Sequence, residues 1–227
     1  MNYIKTARIG FTLVLLGISL SVATAQQRFS VGPRVGANLS SFAGRSEGNS
    51  YRSGLAAGMF VMYSSLNHFG ISVDALYSQL GANYAATDAL SQTPITYKQR
   101  LTYIEVPIAL RYFLTPSGKF RPNLFVGPSL GFLVKGESLP TERLGILFPT
   151  IDNTSSFRPL DLGLTAGVQL NFPGFDERQR FLIDGRYRYG LNDVRKDNSA
   201  NWHNSAFTLT LGYSFGVGPE YRSRYQQ

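Results

Sequence analysis

The chain is organised by alternation. From Leu160 to Phe172 the even positions are Leu160, Leu162, Leu164, Ala166, Val168, Leu170 and Phe172, all apolar. The odd positions, Asp161, Gly163, Thr165, Gly167, Gln169 and Asn171, hold nothing bulky and apolar. Period two over such a run is the signature of a two-faced β-strand. Seven further segments repeat it: Phe29–Leu39, Leu55–Tyr63, Phe69–Tyr77, Ile104–Tyr112, Phe120–Val134, Phe181–Tyr189 and Phe207–Phe215. No stretch of comparable length carries a helical period. The pattern therefore predicts an all-β chain of eight antiparallel strands.

The connections alternate in length. Short joins fall around Leu66-Asn67, at "TPSGK" and at "PGFDERQ". Long polar connections are expected at 40–53, 80–100, 135–159 and 190–205. Short turns at one end and long loops at the other, on an even strand number, describe an up-and-down transmembrane barrel. A soluble barrel gives the same alternation turned inside out, and three features separate the two. The face opposite the apolar one is small and polar (Ser30, Gly32, Gly36, Asn38; Gly70, Ser72, Ser78; Thr208, Thr210, Gly212), which suits a narrow lumen better than a water-facing surface. The apolar residue nearest the short-turn end of every strand is aromatic: Phe29, Tyr63, Phe69, Tyr112, Phe120, Phe172, Phe181 and Phe215. That ring reads as a membrane-interface girdle, with a looser outer ring at Tyr77, Phe132, Tyr189 and Phe207. Finally, the segments reach the roughly 10 residues that a tilted strand needs to cross a bilayer. Pro33, Pro107 and Pro128 fall within strands, where each removes a ladder donor, so bulges are expected there.

The N-terminus reads as an export signal. Lys5 and Arg8 precede an apolar run from Ile9 to Val22, and Ala23-Thr24-Ala25 is a small-residue cleavage site. The expected organisation is a signal peptide over 1–25 and one barrel domain over 26–227 with a short tail at 216–227, both ends of the mature chain lying in the periplasm.

Several motifs resemble one family. "YIEVPIALRYF" (Tyr103–Phe113), "GPRVGANLSSF" (Gly32–Phe42), "FVGPSLGF" (Phe125–Phe132) and "RYRYGLNDV" (Arg186–Val194) look like the PorT-like outer-membrane β-barrels of Bacteroidota, within the porin-family small barrels. The resemblance covers essentially the whole mature chain. It implies an eight-stranded barrel in the cell outer membrane and little about activity, since most members have no assigned role. Some relatives are accessory parts of a protein-secretion and gliding machinery, a role these fold motifs do not transfer.

Composition narrows the chemistry. There is no cysteine, which excludes disulfides, thiolate metal sites and cysteine nucleophiles. Phosphate-loop, dinucleotide-fold, zinc-protease and calcium-loop motifs are missing, so neither a cofactor nor a metal is expected. Eight charged residues fall on the presumed lumen face: Arg34, Asp74, Glu105, Arg111, Asp161, Asp184, Arg186 and Arg188. Four bases against four acids sum to zero, which suggests an internal network in a side-chain-filled lumen. A narrow small-solute channel is the alternative.

The net charge of +8 falls to +6 without Lys5 and Arg8. Much of it sits at the periplasmic ends, where Arg28, Lys119, Arg121, Arg178, Arg180, Arg222 and Arg224 face only Asp176, Glu177 and Glu220. This suits anionic headgroups or an acidic periplasmic partner engaging Arg178 and Arg180. Without a basic helix or basic-aromatic module it does not point to nucleic acid. The expected partners are outer-membrane lipid and a periplasmic or surface protein, with the barrel itself monomeric.

There are only two histidines. His68 falls in a periplasmic turn. His203 lies near Ser205 and Asp193 in the last long loop, a spacing that keeps an outer-membrane lipid hydrolase at the rim as a second alternative. Trp202 either anchors at the outer interface or caps the barrel. The leading expectation is a non-enzymatic structural or interaction protein.

Overall fold

A computed structural model describes residues 29–44, 49–65, 68–87, 94–115, 118–139, 141–143, 146–197 and 202–218. Eight long strands form the wall: β1 Phe29–Ala43, β2 Arg52–Ser64, β3 Phe69–Thr87, β4 Pro94–Phe113, β5 Asn123–Ser138, β6 Leu160–Pro173, β7 Gln179–Gly190 and β8 His203–Val217. Each pairs antiparallel with its neighbours in sequence. The ring closes where β1 meets β8, from Phe29↔Val217 to Ala43↔His203. Closure leaves the wall without an edge, the condition for a sheet to stand in lipid, where unpaired backbone groups find no partner.

The polarity is inside out. Along β6 the even residues from Leu160 to Val168 are exposed, while Asp161, Thr165, Gln169 and Asn171 are buried. Val35, Met59, Val73, Leu110, Val126 and Leu209, outward residues on six other strands, are all exposed. A water-soluble fold would bury such a belt; here it faces acyl chains.

The prolines act differently from expectation. Pairing of β1 with β8 lapses at Gly32-Pro33 and resumes in the same register at Arg34↔Gly212. The β3–β4 and β4–β5 ladders lapse beside Pro107 and Pro128 in the same way. A missing N–H deletes rungs there without inserting a residue. The register shift lies elsewhere, between Thr102 and Tyr103.

Two of the expected long connections are largely structured. β3 and β4 continue as a paired hairpin up to Thr87↔Pro94, so 80–100 is mostly strand. At 19 and 20 residues they exceed what a bilayer crossing needs and stand beyond the apolar belt. Within 135–159, β5 runs on to Ser138, Glu137 pairs with Asp152, and a 3-10 turn spans Thr154–Ser156. At the other end Phe120 lies in the turn before β5, which starts only at Asn123.

Candidate functional site

The lumen is filled in layers from the long-loop end downward. The top layer is apolar. Phe42, Leu80, Ala82, Leu101, Tyr103 and Ala206 point inward from the wall, and Phe157, Val194 and Trp202 pack onto them from the third and fourth long loops. Trp202 is 7% exposed, stacks on Phe42 at 4.7 Å and carries the Arg195 guanidinium 4.7 Å above its ring. Backbone bonds stitch the loops together: Arg158 N–H donates to Val194 O (2.8 Å), Val194 N–H to Trp202 O (2.9 Å) and Lys196 N–H to Ser156 O (3.1 Å). Of the two placements open for Trp202, the structure shows the cap.

Below the cap, Arg188 lies between two carboxylates, 2.8 Å from Glu105 and 3.0 Å from Asp161. Asp161 Oδ2 also accepts from the Asn204 amide (2.7 Å), which donates in turn to the Tyr103 hydroxyl (3.2 Å). Gly163 sits against this cluster. A Cβ there would come within 3.1 Å of the Arg188 guanidinium, so a small residue leaves room for the fork. Gly167, two repeats of the pleat lower, leaves room for the Phe125 ring in the same way.

Next come three arginines and two aspartates. Arg34 reaches Asp74 (3.1 Å) and Asp184 (3.2 Å), Arg186 reaches Asp74 (3.0 Å) and Asp184 (2.7 Å), and Arg111 lies 3.8 Å from Asp184. The sum of zero over eight charges thus divides into +1 here (three against two) and −1 above (one against two). The surplus guanidinium charge meets aromatic faces: Arg34 over Phe60 at 4.6 Å, and Arg111 and Arg186 over Phe125 at 4.5 and 5.4 Å. Arg111 also donates to Ser72 Oγ and Asn123 Oδ1, both at 2.8 Å, and the chain continues through Gln169 back to Asp184. β7 is the post of this structure, because Asp184, Arg186 and Arg188 follow one another at period two on its inner face. Between the two clusters, a gap lined in part by Glu105, Thr165, Arg186 and Arg188 is about the size of one water molecule.

The lowest layer is again apolar: Phe60, Met62, Phe113 and Leu182, inward residues of β2, β4 and β7. Neither apolar layer is visible as an alternating polar lumen face.

Outside, the aromatics of the short-turn end touch around the wall. Phe29 meets Tyr63 at 5.0 Å, Phe69 meets Tyr112 at 5.4 Å and Phe120 meets Phe172 at 5.1 Å. Phe181 and Phe215 both contact Tyr213, at 4.8 and 5.1 Å. His68 stacks on Tyr112 and is hydrogen-bonded to the Phe113 carbonyl.

The rim residues weighed for hydrolysis are engaged separately. His203 stacks on Tyr189 at 6.1 Å, Ser205 Oγ bonds the Tyr187 hydroxyl at 2.9 Å, and Asp193 Oδ1 accepts the backbone N–H groups of Arg195 and Trp202. No nucleophile–base pair joins them among the described residues.

A closed antiparallel ring with an apolar outside and a polar inside defines a small transmembrane β-barrel. The chain belongs to the family described as outer membrane protein beta-barrel domain, whose model matches residues 24–196; its place is the cell outer membrane. Similar solved structures include Neisserial surface protein A, or NspA (17% identity, 83% of this chain and 97% of that one, TM-score 0.44). They also include Ail, the attachment invasion locus protein of Yersinia pestis (14%, 83% and 99%, 0.43). A third is the outer membrane protein OprG from Pseudomonas aeruginosa (13%, 87% and 99%, 0.48). No curated protein sequence matches the chain.

Proposed function

We propose that this protein is a non-enzymatic, monomeric barrel that works through its two ends rather than through its lumen. The observation that carries this reading is the filling of the lumen by an apolar cap, two ion-pair clusters and an apolar floor. A channel needs a continuous polar path, and a rim hydrolase needs His203, Ser205 and Asp193 brought together; the geometry supports neither. The motifs at Tyr103–Phe113 and Arg186–Val194 support the finer assignment to the PorT-like barrels of Bacteroidota. In this reading residues 1–25 are removed on export and the short turns face the periplasm. The aromatic ring from Phe29 to Phe215 marks the inner interface, and the long loops, together with the periplasmic rim, meet surface or periplasmic proteins. Conductance in planar lipid bilayers tests it. The purified barrel is expected to show no steady openings, and large, steady openings would overturn the proposal.

A further inference from the structure

The barrel matches its lumen charges but leaves two arginines at its periplasmic mouth unmatched. Arg34, Arg111, Arg186 and Arg188 each lie within ion-pair distance of a carboxylate. Beyond the outer belt, Arg100 and Lys135 share Glu137. Arg121 and Arg180 have no such partner among the described residues.

Both lie on the inner side of the short-turn rim: Arg121 rests on a floor residue, and Arg180 pairs in register with the buried Ser214. Arg121 follows the outward Phe120, and its guanidinium lies 4.8 Å above the ring of Phe113, a floor residue that is 1% exposed. Its Nε is buried without a hydrogen-bond partner. Arg180 precedes the outward Phe181 and folds over the β4–β5 turn, donating to Lys119 O (3.0 Å) and Gly118 O (3.2 Å). Burial, and then the charge of Arg180, lower the pKa of Arg121. In the β6–β7 turn, Asp176 Oδ1 accepts the Glu177 N–H at 2.7 Å, and neither Asp176 nor Glu177 forms an ion pair with these arginines among the described residues. Like charges held together over an apolar floor are unfavourable alone and become favourable once an anion arrives.

We infer that the periplasmic mouth of the barrel is a receptor for a carboxylate-bearing peptide segment of a periplasmic protein, with Arg121 and Arg180 as its cationic contacts. Phospholipid phosphates lie radially outside the aromatic girdle. The Arg121 guanidinium lies inside it, above the inward-facing Phe113 ring, and Arg180 folds over the adjoining turn, so the site opens to the periplasm and not to lipid. Guanidinium forks suit carboxylates, and the floor of Phe113 and its neighbours offers apolar contact to the flanking residues.

The inference rests on the short turns facing the periplasm, which surface labelling of a tag placed in the β4–β5 turn tests separately in intact cells. Binding is measured by fluorescence anisotropy of a labelled oligo-glutamate peptide on the full-length barrel in zwitterionic nanodiscs at low salt. The wild type should bind it, and Arg121→Gln with Arg180→Gln should weaken binding by about tenfold or more. Arg121→Glu with Arg180→Glu, its folding checked by heat-modifiable migration, should instead prefer oligo-lysine. Equal binding of oligo-glutamate and oligo-serine by the wild type, or unchanged binding by the double Gln variant, would overturn the proposal. So would displacement of the peptide by equimolar inorganic phosphate, or by anionic lipid placed in the nanodisc.

Discussion

Arg186 on β7 ion-pairs with Asp74 on β3, 3.0 Å from guanidinium nitrogen to carboxylate oxygen. In a ring of eight these strands stand opposite each other, so the contact is a strut across the lumen. Arg34 on β1 ties into the same two aspartates. Three strands of the wall, β1, β3 and β7, are thereby joined by one buried charge cluster.

Breaking that cluster on one side should be costly. Asp184 serves Arg34, Arg111 and Arg186, and Asp184→Asn leaves buried guanidinium charge without compensation. A loss of about 3–5 kcal/mol is expected, measured by urea unfolding of the barrel in lipid vesicles. Asp176→Asn, in an exposed turn, should change stability by no more than about 0.5 kcal/mol. Equal effects of the two substitutions would contradict the network.

Trp202 is the single tryptophan of the chain, so its emission reports on the cap alone. Its burial against Phe42 and Tyr84 predicts a blue-shifted spectrum in the folded protein. Removing Phe42 or Val194 by alanine substitution should shift the emission to the red while heat-modifiable migration stays that of a folded barrel. Trp202→Ala should cost about 3–5 kcal/mol if the cap collapses poorly onto the cavity. A water-exposed spectrum in the wild type would place the residue outside the cap.

Acid should loosen the projecting edge of the β4–β5 sheet. Glu137, past the last belt residue Val134, accepts from Lys135 at 2.6 Å and from Arg100 Nε at 2.9 Å. These hydrogen bonds, that from Lys135 first, hold its carboxyl below the ordinary glutamate range. A depressed carboxylate contributes stability above its unfolded pKa and loses it as pH falls through the folded value. The protection of the Arg100 and Glu137 amides, corrected for the intrinsic pH dependence of exchange, should therefore fall on acidification. In Glu137→Gln the rates should depend on pH only through the chemistry of exchange. An equal response in both proteins would remove Glu137 as the cause.

The wall was legible in the sequence because lipid imposes one rule on every crossing residue: outward apolar, inward small or polar. Leu160 to Phe172 obeys it, and so does its structure. Where the strands leave the membrane the rule reverses. On β3 the outward Tyr77 gives way to inward Leu80, Ala82 and Tyr84, beside Gln79 and Asn83. Period two persists there, but its phase flips, so the extension of β3 and β4 reads as a polar connection. That flip is the signal by which the hairpin could have been found. The floor was hidden for a related reason. Phe60 and Met62 sit beside outward Met59 and Val61, and an apolar run does not say which residues turn inward. Parity puts the eight charges on the inward face, and each is buried. Their division into +1 and −1 clusters does not follow from parity, since it depends on strand stagger and side-chain reach. Asp193, Ser205 and His203 show the reverse failure: proximity in sequence suggested a site, and strand geometry sends each to a different partner.

The account stands on which face of the strands meets lipid, and the chain's lack of cysteine allows that to be measured residue by residue. Single cysteine substitutions from Leu162 to Leu170, labelled with a fluorophore in liposomes, can be read by quenching with brominated lipid. The even positions, Leu162, Leu164, Ala166, Val168 and Leu170, should be quenched strongly. The odd positions Thr165 and Gln169, where a side chain is already accommodated, should label poorly and quench weakly. Alternation of the opposite phase, or quenching that is uniform along the strand, would contradict an inside-out barrel with a filled lumen.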